Sequence, residues 1–406
     1  MLNQLWVHRV RRRMASSDLP LVVELWNGQQ VGRGDVAAVR VRLRQAASLK
    51  AMADPSLGAL ARAYVEEHLD LEGDIRDILS LGGRLCNAGN SPPRTVPDNW
   101  KWWRHTRIQD RRNIRFHYDV SNDFYALWLD ARRIYSCAYF KTPDMSLDAA
   151  QETKLEHICR KLDLKAGERF LDIGCGWGGL ILHAAERHGV HAVGITLSEE
   201  QHAFVRQQIE ARGLSGQVEV HRMDYRDVPE LVAYDKIASV GMFEHVGRPN
   251  LRTYFDKISA LLKPGGLVLN HGITTASPEA SGLGSGIAEF IEDYVFPGGE
   301  LVHVSDVLRA ASASGLECLD AENLRPHYGT TLWHWVNRLE QHADEARRLI
   351  GEQKYRIWRV YMAGSAYAFD HGWMELWQVL AGKGVDGLQP NYPFNRNFMY
   401  RGEQSN

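Results

Sequence analysis

The run Phe170-Leu171-Asp172-Ile173-Gly174-Cys175-Gly176-Trp177-Gly178-Gly179 is an apolar strand that breaks into a glycine-dense turn and then a helix. That succession is how an α/β sheet opens a nucleotide-sized cleft at the carboxyl end of a strand. Glycines on alternate positions, Gly174, Gly176 and Gly178, let the backbone approach a ligand without Cβ clashes. The carboxylate of Asp172 at the strand's end suits an ammonium group better than a pyrophosphate, which favours S-adenosylmethionine over NAD. A glycine turn alone also serves as plain punctuation between a strand and a helix. The neighbouring segments therefore carry the decision.

From about residue 146 the strand and helix patterns alternate regularly. Ser146 is placed to cap a helix running to about Leu162, and strands are predicted near 169–173, 191–197, 218–223, 234–240 and 266–272. The expected fold is α/β: the Rossmann-like, doubly wound sheet of class I S-adenosylmethionine-dependent methyltransferases. Ser198-Glu199-Glu200-Gln201 reads as a capping box that sets Gln201 on the first helical turn after the second strand, with Gly213 ending that helix. Lys263-Pro264-Gly265-Gly266 reads as a turn feeding a further strand. Residues 280–345, rich in glycine and aromatics, are expected to form a cap. Ligands of an open sheet lie beyond the strands' carboxyl ends, so Asp172, Gly174, Gly176, Gly178, Thr196, Gln201, Asp224 and Tyr225 are the expected cofactor contacts. Asp224 is placed to accept from an adenine amino group and Tyr225 to line the ring. The acidic residue usual after the second strand is replaced by Thr196-Leu197-Ser198, and Gln201 is the substitute candidate for the ribose hydroxyls.

With 406 residues, 44% of them hydrophobic, the chain is long enough for two domains with sizeable cores. Residues 1–90 read as a small N-terminal α+β domain. Its apolar stretches Leu19 to Trp26 and Val36 to Leu43 precede a helical part from Ser56 to Leu81. Ser91-Pro92-Pro93 through Pro97 forbids regular structure. Residues 91–115 are then a basic, tryptophan-bearing linker ahead of a catalytic domain over 116–406. Its Lys101-Trp102-Trp103-Arg104 stretch reads either as an interfacial segment or as a helix packing its tryptophans under the next domain. The five cysteines are scattered without a C-x-x-C spacing, so neither a disulfide framework nor a zinc site is expected, and a reducing cytoplasm fits. No window reaches the roughly 18 apolar residues of a spanning helix, so a peripheral membrane contact is the most that is expected. Charge is uneven: residues 1–115 hold 19 Lys and Arg against 12 Asp and Glu, leaving 29 against 38 in the remainder. Such polarity serves either an anionic bilayer or adhesion between the two halves.

Five ordered motifs point further: Tyr135-Ser136-Cys137-Ala138-Tyr139-Phe140, Leu171 to Gly178, Gly194-Ile195-Thr196-Leu197-Ser198, Phe243-Glu244-His245-Val246-Gly247 and Asn270-His271-Gly272-Ile273. Together with His117 to Tyr125, Phe296 to Leu301 and Trp377-Gln378-Val379, they resemble the cyclopropane fatty acid synthases over nearly the whole chain, the first domain more loosely. The resemblance implies methylene transfer from S-adenosylmethionine to the cis double bond of an acyl chain in a membrane phospholipid. It also implies a cytoplasmic enzyme peripheral on the membrane's inner face, a homodimer, and no nucleic-acid partner. An isolated alkene is a poor nucleophile and must be held dry and in line with the sulfonium methyl. The resulting carbocation needs only a weak base, which the family resemblance makes a bound bicarbonate. The matching positions are Cys137, largely through its main chain, Glu244, His271 and Tyr361. One carboxylate with imidazole and phenol donors satisfies an anion carrying one O–H.

Taken singly, Glu244 reads as a helix N-terminal charge, His271 as a satisfied strand-end histidine and Tyr361 as a core aromatic. Their coincidence within matching motifs favours the site. Nothing near Cys137 supplies a base, so a thiolate nucleophile is not expected. The resemblance carries over Tyr135 and Ser136 as cofactor contacts and His117 and Tyr118 as neighbours of the cleft. Phe290, Tyr294, Phe296, Pro297, Gly298 and Gly299 are expected to wall an acyl tunnel. Glu292 and Asp293 are unexpected near a lipid mouth. The alternatives are a methyl or methylene branch instead of a ring, a small-molecule methyltransferase of the same fold, and a non-catalytic lipid-binding protein.

Overall fold

The computed structural model describes residues 2–16, 19–32, 37–86, 121–231, 233–279, 283–297, 299–386 and 392–400. The expected 91–115 linker, His117, Tyr118 and Gly298 lie outside the described residues. Near the start, α1 (Leu2–Ser16) precedes β1 (Leu21–Glu24), β2 (Gln30–Gly32) and β3 (Val39–Leu43). Then come α2 (Leu49–Ala53), α3 (Leu57–Val65), β4 (Leu69–Glu72) and α4 (Ile75–Leu85). The four strands form one sheet in the order β2-β1-β3-β4. In β3, Val39, Val41 and Leu43 point into the core while Arg40 and Arg42 point out. The outward arginines meet Glu24 at 3.1 and 3.2 Å, so part of the N-terminal positive charge is neutralised within its own sheet. The helix expected from Ser56 to Leu81 is in fact interrupted by β4. Glu67 turns the chain at φ 58, and Leu69 and Leu71 then alternate with Asp70 and Glu72 at the strand period.

The larger sheet begins after α5 (Asn122–Ala126) and α6 (Leu147–Lys161). Its strands and helices alternate as β5 (Arg169–Ile173), α7 (Gly179–His188), β6 (His191–Thr196), α8 (Glu199–Ala211), β7 (Val218–Arg222), β8 (Tyr234–Val240), α9 (Leu251–Leu261) and β9 (Leu262–Thr275). They continue as α10 (Ile287–Tyr294), α11 (Val304–Ala313), β10 (Leu316–Asn323), α12 (Arg325–Gln341), α13 (Ala343–Ile350), α14 (Glu352–Asp370) and β11 (Met374–Lys383). The order β10-β11-β9-β8-β5-β6-β7 places β5 where the winding reverses, the crevice in which such sheets take ligands. β11 runs antiparallel to both neighbours and closes the doubly wound, Rossmann-like sheet. Phe170 and Leu171 point to opposite faces, toward Ile181 and Val205 on one side and Tyr254 and Val307 on the other.

Two local expectations need correction. The 280–345 cap is not one insertion, because β10 runs through it as a strand of the sheet. Glu317, Asp320 and Glu322 break β10's apolar run, and buried Lys161 takes up two of these acids, Asp320 at 3.2 Å and Glu322 at 2.6 Å. The capping box is half formed. Ser198 accepts from Gln201 N, but Ser198 N donates to Thr196 Oγ1, whose hydroxyl donates to Gln201 Oε1 at 2.7 Å. The Lys263 to Gly266 turn is looped out of the ladder, where pairing jumps from Leu262 to Leu267 and Gly265 takes φ 79.

The N-terminal sheet has no core of its own. Leu21, Val41 and Leu81 belong to the same buried cluster as Phe124, Trp335, Trp358 and Phe369. α14 fastens the halves. The buried Arg356 donates to Tyr64 O at 3.0 Å, Leu69 O at 3.2 Å and Asp70 at 2.8 Å. A Cβ on Gly58 would lie 1.9 Å from Gly286 O, and one on Gly83 would lie 2.3 Å from the Tyr367 hydroxyl, so the surfaces meet at glycines. Arg62 pairs with Asp293 at 2.6 Å. Asp293, out of place for a lipid mouth, thus serves adhesion between the halves. Replacing Arg356 by Ala removes its bonds to the Tyr64 and Leu69 carbonyls, to Asp70, which keeps Arg44, and to Glu352, which keeps Arg347. It should cost about 1.5–3 kcal/mol of stability in chemical denaturation. An unchanged midpoint would show that the clamp carries no load.

Candidate active site

A cleft of about 160 Å³ opens beyond β5, β6 and β8, and Tyr135, Ser136, Asp172, Gly174, Gly176, Thr196, Gln201, Asp224 and Tyr225 all line it. Gly174 (φ 87) and Gly176 (φ 54) hold left-handed backbone that other residues rarely adopt. Gly178 does not line the cleft. It caps α7 at φ 82, and its missing Cβ makes room for Val205, which it would meet at 3.0 Å.

Asp172 Oδ1 is buried and has no hydrogen-bond partner, and burial lifts its carboxyl to about 7, opposed in part by Lys154. Lys154 also lines the cleft and donates to Ser136 Oγ at 2.9 Å; burial lowers its ammonium to about 8. The sequence reading missed it. The available signal was helical phase: Lys154 falls on the buried stripe of α6 with Leu147, Ala150, Leu155 and Ile158. Asp224 is gripped by Arg226, whose Nε and Nη2 reach its two oxygens at 2.7 and 2.6 Å, so it stands at the wall as a fixed acceptor. Tyr225 packs edge-on against Tyr254 at 5.4 Å. Trp177, also missed, lines the cleft with its Nε1 donating to Asn122 at 2.8 Å.

A second chamber, of about 140 Å³, adjoins this cleft, sharing Tyr135, Ser136, Gly241 and His245 with it. Cys137, Glu244, His271 and Tyr361 all line the chamber. Strand register explains how segments far apart in sequence meet there. β9 sets His271 opposite Val240 of β8 and Gln378 of β11, and Gly241 N donates to His271 O at 2.8 Å. Glu244 follows on a short 3₁₀ turn and its Oε1 accepts from Ile273 N at 2.8 Å. A Cβ at Gly272 would lie 2.0 Å from the Phe243 ring, so only glycine lets that turn press onto β9.

The polar atoms left over face the chamber. Glu244 Oε2 and His271 Nε2 are buried without partners. Burial lifts the Glu244 carboxyl to about 7 and holds His271 well below its usual range, as neutral imidazole. Gln378 Nε2 donates to His271 Nδ1 at 3.2 Å, which leaves the ring proton on Nε2. Sequence reading quoted Gln378 within a motif and gave it no role. Tyr361, on α14, is hydrogen-bonded to Tyr135 and packed edge-on by Phe296 at 5.7 Å. The Cys137 thiol is fully buried, pushed far above its usual range, and donates to Ala138 O at 3.2 Å, so it is no nucleophile. Of the expected tunnel residues, Phe296 and Gly299 line the chamber, whereas the Tyr294 hydroxyl turns away to donate to Glu66 at 2.7 Å.

Residues 105–379 match the family described as mycolic acid cyclopropane synthetase. The chain belongs to this family. Residues 12–85 match a domain of unknown function. A probable fatty acid methyltransferase of Pseudomonas putida is 44% identical over 388 residues, covering 96% of this chain and 98% of that protein. The cyclopropane-fatty-acyl-phospholipid synthase of Escherichia coli K12 is 38% identical over 270 residues, 66% of this chain and 67% of that protein. The crystal structure of mycolic acid cyclopropane synthase CmaA1 complexed with SAH and CTAB is 34% identical. It superposes with a TM-score of 0.64, covering 67% of this chain and 98% of that one. Sheet order and family together make the larger sheet a class I S-adenosylmethionine-dependent methyltransferase fold. Its cleft fits that cofactor: an unpartnered carboxylate stands ready for an ammonium, beside two bare glycines.

The carboxyl of Asp172 keeps its proton to about pH 7 in the folded protein, against an ordinary value of 3.8. The folded state therefore binds more protons than the unfolded chain across that window, and this group's contribution to stability falls as pH rises. Neutral His271 pulls the other way, so the test is differential. Without cofactor, Asp172→Asn should gain on the parent protein steadily between about pH 4 and pH 7, by a few kcal/mol at the top. A gain independent of pH in thermal melts would show the carboxyl to be already ionised.

Proposed function

We propose that the protein transfers one carbon from S-adenosylmethionine to the cis double bond of an acyl chain in a membrane phospholipid, closing a cyclopropane ring, with bicarbonate held in the chamber. What supports this reading is the pair of buried, unpartnered atoms, Glu244 Oε2 and His271 Nε2, that face with Tyr361 into one chamber adjoining the cofactor cleft. When bound, S-adenosylmethionine supplies an electrophilic methyl and bicarbonate a weak base. Asp172 would take the cofactor's ammonium, with Gly174 and Gly176 allowing close backbone approach. Glu244 would accept the O–H of bicarbonate while His271 Nε2–H and the Tyr361 hydroxyl donate to its oxygens. Cys137 would contribute through its main chain, in a segment held by Thr331 at Ala138 N (3.0 Å) and His327 at Phe140 N (3.0 Å). Ile291, Phe296, Leu301, Leu332 and Leu376 make much of the remaining wall apolar, and the lining Glu300 is taken up by Arg248. Such a wall would hold the alkene in line and keep water from the cation formed on it.

A methyl or methylene branch on the same acyl chain is the second reading, supported by the likeness to the Pseudomonas fatty acid methyltransferase along nearly the full chain. Both outcomes start from the same cation; a hydride shift before loss of a proton from the new methyl gives the methylene branch, and a saturated methyl branch would need a separate hydride donor to reduce it. A substrate in a bilayer calls for peripheral contact, and among the described residues no helix is long and apolar enough to cross a membrane.

Purified protein incubated with S-adenosylmethionine and vesicles of cis-unsaturated phospholipid should add the mass of one CH₂ per modified chain, and proton NMR separates ring from branch. No mass gain would overturn the reading. Glu244→Gln should lower kcat by about a hundredfold or more while cofactor affinity stays near that of the parent protein. Equal loss of both would make Glu244 a structural residue.

A further inference from the structure

An apolar cavity of about 110 Å³ lies between the N-terminal unit and the catalytic half, and the chemistry above does not use it. Val39 and Val41 of β3 and Leu79 of α4 wall it on one side, Phe290 of α10 and Val360 of α14 on the other. Among the described residues, no charged side chain lines it. Ile291, Tyr361 and Ser365 line both this cavity and the catalytic chamber, so those side chains form the partition between them.

The seam around the cavity is fitted closely. Gly58 meets Gly286, Gly83 meets Tyr367, and Arg356 clamps the sheet edge. Interiors close-pack wherever side chains can reach, so a space left inside so tight a seam calls for an occupant. α14 presents Gly364 to it, and a Cβ there would meet nothing within 4 Å. Glycine is a poor choice inside a helix except where bulk must be kept out.

We infer that this cavity is the subsite for the methyl-terminal end of the acyl chain, so that the N-terminal domain gauges the length of chain beyond the double bond. The inference rests on the acyl substrate proposed above. A chain whose double bond lies beside Tyr361 must continue into apolar space, and the partition at Ile291 and Ser365 is where that space begins. The headgroup is excluded from this side, because a phosphate would lose its hydration against walls that offer it no charged partner.

Myristoleoyl, palmitoleoyl and oleoyl phosphatidylethanolamine vesicles place the double bond at the same depth and differ only in the methylenes beyond it. Gly364→Leu should lower the kcat/KM ratio of oleoyl to myristoleoyl chains by about tenfold or more against the parent protein. Gly82→Leu, on the opposite wall, should shift the ratio in the same direction; its added Cβ would meet only Leu57, at 3.5 Å. Equal losses at every length, or unchanged ratios in both variants, would overturn the subsite. If the parent protein alkylates none of the three lipids, the proposed reaction fails and the subsite is judged by binding alone. A fatty acyl chain carrying a diazirine on its terminal carbon should then photolabel peptides within 57–85 or 287–297. Labelling confined to other peptides, or none, would overturn it.

Discussion

One helix, α14, carries the constraint on which the rest depends. Arg356, Val360, Gly364 and Tyr367 recur at helical spacing on the side that receives the N-terminal sheet and α4. Trp358, Tyr361, Ser365 and Phe369 recur on the adjoining side, toward the aromatic cluster and the chamber. The phenol of Tyr361 is therefore positioned by the same backbone that anchors the first domain. A shift of α14 would move a chamber wall, the partition and the domain seam together, because close-packed neighbours leave no slack to absorb it.

Burial is the electrostatic lever of the site. Asp172 and Glu244 are both lifted to about 7, Lys154 is lowered to about 8, and His271 is kept neutral, in each case chiefly by removal from water. The protein alone thus holds its polar groups near the edge of ionisation, with several atoms unpartnered. Such arrangements cost stability and persist where a ligand completes them. The apolar remainder of the chamber has the complementary task of denying water to a cation that would otherwise be captured.

Much of this was legible in the sequence, for reasons that can be located. β5, β6, β8 and the paired part of β9 are largely buried on both faces and read as apolar runs, while the edge strand β7 alternates Val218 and Val220 with polar residues. Ser146 and Ser198 cap their helices through side-chain oxygens as their positions indicate. β4 was hidden because it is only four residues long between two helices. β10 was hidden because Asp320 and Glu322 face Lys161 and His157 rather than solvent, which spoils the alternation that marks a strand. The gathering of Cys137, Glu244, His271 and Tyr361 came from motif resemblance. No local periodicity brings them together: the register of β8, β9 and β11 sets Glu244 beside His271, α14 brings Tyr361, and the Thr331 and His327 contacts hold the Cys137 segment against them. Lys154 and Gln378 show where single-residue reading fails, since their roles depend on which neighbour a buried donor reaches. The cavity beside Gly364 is less visible still, its walls coming from both ends of the chain.

The common buried cluster also bears on how this protein can be handled. The first 86 residues are not a detachable appendage, since Ile287, Ile291 and Val360 lie against their apolar faces. A fragment lacking them would present those side chains as an open greasy strip, the kind of surface that draws molecules into aggregates unless detergent or lipid covers it.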